Sequence, residues 1–477
     1  MSNKISIKSN FIFNSIYQLS SIVVPLITMP YLSRVLLAEG LGAYSYAYSI
    51  AYYFYLFIRM GLHSYGNRTV AFVKNDKKEL SKTFFEIYSF QMFIGIIMVL
   101  LYAFYVMVLA HNKMLAGVFI ILVISGGIDL TWVLYGLEEF KITACRDIMI
   151  KVVTTVSVFI FVKNASDVWK YALIYCGGFM CSQIIAIPIV HGRVNYVRPS
   201  LEGIVYHIKP NFILFLPTIA VSIYKTMDKI MLGTMASEIE LGYYHSCDRI
   251  INVPLALITA LGTVMLPRIS NILSKGDNTD ETSPMFEKSI KFAMFISTSI
   301  CLGIMTVSDI FVPLFYGKGF EKCIILFKIL LPSCIFLAFA NVIRTQYLLP
   351  RKMDKLFVVS LFLGAGVNLI LNMILIPKYA SAGAAIGTLA AEIVVCIAQS
   401  IGVYKAANIG KNIRNSIPFI ISGTLMYLFF KDYVPLVQSQ IVALLIKVVV
   451  SGAFYLVVLG VIYLILSMKK TIIRNIC

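Results

Sequence analysis

The sequence predicts an all-α, polytopic membrane protein with about fourteen crossings, and three observations lead there. Of 477 residues, 59% are hydrophobic and only 13% charged, with mean hydropathy +0.85, more apolar surface than a soluble core can hide. The apolar runs are about 20 residues long and lack the alternation of barrel strands, so each satisfies its own backbone as a helix. A degraded copy of the opening stretch returns about 200 residues later, far beyond the period of a solenoid repeat. Asn10-Phe11-Ile12 recurs as Asn211-Phe212-Ile213, Leu41-Gly42-Ala43-Tyr44 as Leu241-Gly242-Tyr243-Tyr244, Gly61 as Gly262 and Arg68 as Arg268.

Hydropathy places spans near 11–33, 43–62, 84–109, 114–135, 147–162 and 169–190, which form an N-terminal lobe over residues 1–207. A basic link, His191 to Lys209, leads to spans near 211–233, 243–266, 288–311, 323–347, 356–376 and 382–403, a C-terminal lobe over residues 208–408. Two further helices, near 416–430 and 441–466, occupy residues 409–477. Lys4 and Lys8 before an apolar stretch look like the start of a signal peptide. The run nevertheless continues past Pro25 and Pro30 without a small-residue cleavage site, so it is expected to be a retained first span.

Most of the 41 Lys and Arg fall in every second connection, in residues 68–82, 141–151, 193–209, 268–291, 344–355, 405–414 and 469–474. The excess of positive charge marks the cytoplasmic side, so both termini are expected there, and an even number of spans agrees. An even number of helices between the copies makes the repeat parallel, a plan in which transporters handle substrate between the halves. The longest polar connection, about Arg268 to Glu287, lies inside, and no large outer domain is expected. That counts against a membrane glycosyltransferase or polymerase, which needs catalytic groups on a sizeable outer loop.

Net charge of +18 raises the possibility of nucleic acid, but no soluble domain carries a basic stripe to bind it. The nine cysteines lie mostly within apolar runs without a CxxC pair, and the five histidines are scattered. Neither a metal site nor a disulfide framework is expected, and no cofactor.

Polar residues form stripes at helical spacing: Asn14, Gln18, Ser21, Pro25 and Thr28 in the first span, Ser45, Ser49, Tyr52, Tyr55 and Arg59 in the second, and Asn211, Thr218, Ser222, Lys225 and Lys229 in the seventh. Arg59 stands about 22 Å below the outer end of its span at about 1.5 Å per residue, within reach of the cytoplasm. A charge at the centre of a spanning helix costs about 3 kcal/mol or more, so it is usually paired or functional. Arg59, Lys225, Lys229 and Arg249 are therefore candidates for a cationic cavity whose ligand is a phosphate or pyrophosphate, which Arg grips with two hydrogen bonds. The structural alternative has Arg59 snorkelling to the inner surface, Asp228 neutralising the lysines and Asp248 neutralising Arg249. Tyr52 and Tyr55 share the face of Arg59 and are candidates to line a glycan path by stacking on sugar rings. The outermost tyrosines of that span, Tyr44, Tyr46 and Tyr48, read equally as an interfacial belt. Asp129 and Glu392 lie deep enough to exchange a proton or hold Na⁺ during a transport cycle, or else to pair with a nearby cation. The Gly383–Gly387 GxxxG reads as helix packing.

The stretches Pro25-Leu26-Ile27-Thr28-Met29-Pro30-Tyr31-Leu32-Ser33-Arg34-Val35-Leu36 and Glu39-Gly40-Leu41-Gly42-Ala43-Tyr44-Ser45-Tyr46 resemble Wzx-type O-antigen flippases of the polysaccharide biosynthesis group, as do Tyr65-Gly66-Asn67-Arg68, Met265-Leu266-Pro267-Arg268-Ile269-Ser270 and Arg344-Thr345-Gln346-Tyr347-Leu348-Leu349-Pro350. The resemblance implies membership of the superfamily shared by multidrug extruders, lipid II flippases and polysaccharide exporters, with two six-helix bundles in a V around a central cavity. It implies transfer of an undecaprenyl-pyrophosphate-linked oligosaccharide, an O-antigen or capsule repeat unit, from the cytoplasmic to the periplasmic leaflet of a bacterial inner membrane by alternating access. Its partners would be the lipid-linked oligosaccharide and the bilayer, with a glycan polymerase and a chain-length regulator downstream. The family offers no catalytic motif, so the protein is expected not to be an enzyme. The rivals are a multidrug cation antiporter on the same fold, which the basic stripes disfavour, and the membrane glycan polymerase or glycosyltransferase already set aside.

Overall fold

The computed structural model describes the backbone of residues 7–274 and 279–476, and side chains within them except at 7–19, 21–22, 224, 261, 263–264, 267, 274, 279–281 and 469–476. The regular structure of these residues is helical, and every expected span falls on a helix. In order they are α1 (Ile7–Arg59), α2 (Leu62–Val73), α3 (Lys77–Val108), α4 (Lys113–Val118), α5 (Ile120–Gly127), α6 (Thr131–Gly136), α7 (Phe140–Phe161), α8 (Val168–His191), α9 (Leu201–Met235), α10 (Glu238–Ser274), α11 (Thr279–Tyr316), α12 (Lys322–Ile343), α13 (Asp354–Tyr379), α14 (Ser381–Gly402), α15 (Ile409–Phe430) and α16 (Gln440–Ile476). Eleven stretches among the described residues are long and apolar enough to cross a membrane.

The first two spans are not joined by a loop. One residue, Leu37 with φ 58° and ψ −179°, breaks α1 into its two crossings. The fourth crossing, expected as one helix, is assembled from α4, α5 and α6. Between the second and third spans, where only a connection was expected, α2 forms a short amphipathic helix with Leu62, Tyr65, Gly66 and Val70 buried.

The chain divides into two compact units, Met1–Gly242 and Tyr243–Cys477. In the first unit, Ala43, Ala47 and Ala51 recur at helical spacing along the second half of α1, and small side chains let α3, α5 and α8 approach. A core of Tyr44, Tyr55, Ile58, Tyr102, Phe119, Leu122 and Cys176 fills this seam. A second core joins α2, α3, α6 and α8 through Leu62, Phe84, Trp132, Val133 and Val190. Helix α9 also packs on α1: the Tyr53 hydroxyl donates to the Ser222 carbonyl at 3.2 Å, and the Phe57 and Phe215 rings lie 5.5 Å apart. The glycines of the repeated Leu-Gly motif meet here. A methyl group on Gly42 would run into the Glu238 carbonyl, and one on Gly242 into the Ala38 carbonyl.

In the second unit α13 and α14 are separated by a single residue, Ala380, at φ 49°. Helix α11 packs against α12, α15 and α16. The Thr298 and Tyr455 hydroxyls, 2.9 Å apart, join α11 to α16, and the Gln399 amide donates to Ser360 Oγ at 3.0 Å between α14 and α13.

Candidate functional site: an accessible arginine on a buried carboxylate

The site begins with the interruption between α5 and α6. Ending one helix at Gly127 and starting the next at Thr131 leaves carbonyl groups without intrahelical partners. Gln91 of α3, fully buried, closes the gap. Its amide nitrogen donates to the Gly126 carbonyl at 2.8 Å and the Asp129 carbonyl at 3.0 Å, while its side-chain oxygen accepts the Trp132 indole N–H at 3.0 Å. Gly95 and Gly127 bring the two backbones together, since a Cβ on Gly95 would lie 3.1 Å from the Gly127 Cα. Asp129 Oδ1 accepts the Thr131 N–H at 2.9 Å, as a carboxylate does at a helix start.

That geometry leaves Asp129 Oδ2 facing α1, where it accepts from Arg59 Nε at 2.7 Å and from the Tyr55 hydroxyl at 3.3 Å. Arg59 Nη1 donates to the Tyr55 oxygen at 3.0 Å, and its guanidinium carbon lies 5.3 Å from the centre of that ring. Arg59 occupies the last turn of α1, where the negative end of the helix dipole favours a cation. Asp129 is 1% exposed and the Arg59 side chain 25%. The carboxylate is sealed, while guanidinium N–H groups not used by Asp129 or Tyr55 are available to an anion.

A tyrosine ladder runs along the same helix. Tyr44, Tyr48, Tyr52 and Tyr55 follow one another with centroid spacings of 6.1, 5.7 and 6.2 Å. Tyr171, Tyr175 and Phe179 of α8 pack against it, Tyr171 lying 4.4 Å from Tyr44. Tyr44 is 0% exposed, so it belongs to the core of the bundle rather than to an interfacial belt. Tyr55 is buried with its hydroxyl engaged by the ion pair, and Tyr52 is half-buried beside it.

The structure thus brings together three candidates that the sequence kept apart in role, Arg59, Tyr55 and Asp129, with Tyr52 adjacent. Lys225 is exposed and Lys229 half-buried on α9, with Asp228 buried between them. Arg249 and Glu392 belong to the second unit. Arg249 is half-buried with Nε 3.5 Å from His245 Nε2, and Glu392 is 5% exposed on α14. The side chains of Asn14, Gln18 and Ser21 lie outside the described residues.

Sequence reasoning missed two buried polar clusters. In the first unit His207 links Tyr65 and Glu86: its Nδ1 is 2.6 Å from the Tyr65 oxygen and its Nε2 3.5 Å from Glu86 Oε2, and Ser200 Oγ donates to Glu86 Oε1 at 2.9 Å. In the second unit Lys447 Nζ donates to both Asp309 oxygens at 3.0 Å. Matching depths would have revealed the second pair, since the expected topology puts Asp309 and Lys447 toward the same end of their spans.

Residues 7–273 match the family described as polysaccharide biosynthesis protein. The chain belongs to that family. It is 26% identical over 398 residues to the "Putative O-antigen transporter" of Escherichia coli (strain K12), covering 82% of this chain and 95% of that one. Its fold is similar to that of a structure described as the lipid II flippase MurJ, inward closed conformation, with TM-score 0.77 at 18% identity over 96% of this chain and 99% of the other. A multidrug resistance MATE family transporter of the MOP superfamily, in an inward-facing conformation, follows with TM-score 0.56 at 14% identity over 83% and 99% of the two chains. The family expected from the opening motifs, and the flippase-like helical fold expected with it, are both confirmed.

Proposed function

We propose that this protein is a flippase that carries an undecaprenyl-pyrophosphate-linked oligosaccharide from the cytoplasmic to the periplasmic leaflet of a bacterial inner membrane, with both termini cytoplasmic. The observation that carries the reading is the Arg59–Asp129 pair, in which the cation is the accessible member. A membrane-embedded arginine already oriented by a carboxylate and a tyrosine, with N–H groups to spare, suits a diphosphate that accepts paired hydrogen bonds. Lys225 and Lys229 on α9, and Arg249 in the second unit, are assigned to the same anion as it moves. Tyr52 lines the glycan path, and Tyr55 positions Arg59.

The pairing also supports a coupling mechanism. A pyrophosphate that draws Arg59 away leaves Asp129 a buried carboxylate without its cation, a state relieved by taking up a proton or Na⁺. Release of the substrate lets Arg59 return and expels the ion. Glu392 is the corresponding candidate in the second unit. The repeat division into residues 1–207, 208–408 and 409–477 is proposed as the functional one, with a glycan polymerase and a chain-length regulator acting on the delivered unit. Family membership and the transporter relative favour transport over glycan synthesis, and the accessible cation favours an anionic lipid head over the organic cation of a multidrug antiporter.

Reconstitution into liposomes tests this reading. Wild-type protein is expected to move the lipid-linked oligosaccharide between leaflets, and Asp129→Asn to move it without dependence on the ion gradient. Movement of a cationic dye in place of the oligosaccharide would overturn the substrate assignment.

A further inference from the structure

The first unit holds a cavity of about 290 Å³ where the break in α1 meets the connections between α3 and α4, between α7 and α8, and between α9 and α10. These are the alternate connections poor in Lys and Arg, and the structure gathers them at one end of the unit. Lys74 with Glu138, and Arg193 with Glu139, join elements of the connections richer in Lys and Arg. Glu39 and Glu238 line the cavity from different helices, and Asn112, Ser166 and the ring of Trp169 complete its polar and aromatic walls. Gly40 makes the floor possible, because a Cβ there would lie 2.8 Å from Val168 Cγ2.

Three features point to a ligand. In a chain with net charge +18, two carboxylates reach the same small cavity from separate elements. The chain has two tryptophans. Trp132 is sealed in the core with its indole bonded to Gln91, while Trp169 is half-buried on the cavity wall, with the Lys170 ammonium over its ring at 5.8 Å from the centroid and itself paired with Asp167 at 2.7 Å, which leaves one face of the ring for a ligand. A tryptophan of an interfacial belt faces lipid headgroups, whereas Trp169 packs against the buried core of the first unit and lines the same cavity as Glu39 and Glu238. An aromatic face, carboxylates that accept paired hydroxyl hydrogen bonds, and amide and hydroxyl groups beside them are the chemistry that holds a sugar ring. The volume, at the lower edge of small-molecule sites, suits a single ring.

We propose that this cavity is a sugar-binding site that takes one pyranose ring, held best when the ring carries a protonated amine between Glu39 and Glu238. The inference deepens the flippase reading and rests on it for its biological meaning: the site receives the glycan on the side to which it is delivered, before the diphosphate leaves. Binding itself does not depend on that reading.

The test is the emission of Trp169 in detergent-solubilised full-length protein titrated with D-glucosamine, glucose and ethanolamine. Glucosamine is expected to give a saturable change, glucose a weaker one, and ethanolamine none at the same concentration. The Glu39→Gln/Glu238→Gln variant is expected to raise the half-saturation for glucosamine roughly tenfold or more, since the amine loses both counter-charges while the amides keep only neutral hydrogen bonds. Glu39 is exposed and Glu238 half-exposed, so these changes spare the core. No saturable response to either sugar at tens of millimolar, or a response that persists in Trp169→Phe, would overturn the site. An equal response to ethanolamine would make it a cation site and overturn the sugar assignment. Wild-type binding of glucosamine without leaflet transfer of the lipid-linked oligosaccharide would leave the site standing and refute the flippase reading instead.

Discussion

Each unit of the molecule contains an ion pair within its helices, and the two are built the opposite way round. In the first unit the carboxylate of Asp129 is sealed at 1% exposure and Arg59 is the accessible member at 25%. In the second, Lys447 is sealed at 0% and Asp309 is accessible at 38%. The buried member of such a pair takes its counter-charge from its partner, so the accessible member decides both what the pair can receive and which substitution is worst. Arg59 can offer its remaining N–H groups to an anion without exposing Asp129. Lys447, which also donates to the Lys431 carbonyl at 3.3 Å, has no such opening and serves to fix α16 against α11.

The largest expected effects test this inversion directly. Arg59→Met strands a buried carboxylate, and Asp309→Leu strands a buried ammonium. Each is expected to cost about 3–5 kcal/mol, read as a lowered thermal unfolding temperature in detergent micelles. The reciprocal changes, Asp129→Asn and Lys447→Met, leave a charge that reaches solvent and are expected to cost about 1–2 kcal/mol. The comparison breaks if the order reverses in either unit.

A middle-sized effect is expected at the clasp behind Asp129. Gln91→Leu removes the partners of the Gly126 and Asp129 carbonyls and of the Trp132 indole, at about 2–3 kcal/mol. Because the break in the fourth crossing then loses its closure, transport is expected to fall along with stability. Unfolding and leaflet transfer measured on one preparation would show whether both change. The smallest expected effect is at the missed cluster: Tyr65→Phe removes one hydrogen bond to His207 and is expected to cost about 1 kcal/mol with transfer unchanged. A loss of transfer there would add that cluster to the transport machinery.

Much of the fold was legible because hydropathy reports the lipid-facing surface of each crossing directly. Apolar runs of sufficient length marked every span, and the recurring Leu-Gly motif marked two glycines that the structure places in contact. The breaks were not legible. Leu37 bends α1 at a residue type that gives no turn signal, while the neighbouring Glu39-Gly40 reads as the natural turn and is helical instead. Gly126-Gly127 lies in an apolar run that hides the end of α5, because the carbonyls freed there are satisfied by Gln91 from another helix. Tyr44 was misplaced for a similar reason: periodicity gives the face of a helix, but only the packed bundle shows that the face meets α8 rather than headgroups. Arg59 and Asp129 were each found by the cost of charge at depth, yet their pairing depends on the bend that turns Asp129 Oδ2 toward α1.

The most direct measurement is leaflet transfer of undecaprenyl-pyrophosphate oligosaccharide in liposomes by the Arg59→Gln/Asp129→Asn double variant. Two neutral, hydrogen-bonding side chains replace the ion pair, so the fold is expected to persist, checked by an unfolding temperature close to wild type. Transfer is expected to be lost, because nothing cationic remains at that position to receive the diphosphate. Transfer at the wild-type rate by a folded double variant would contradict the central claim that the accessible arginine of this pair carries the substrate's charge.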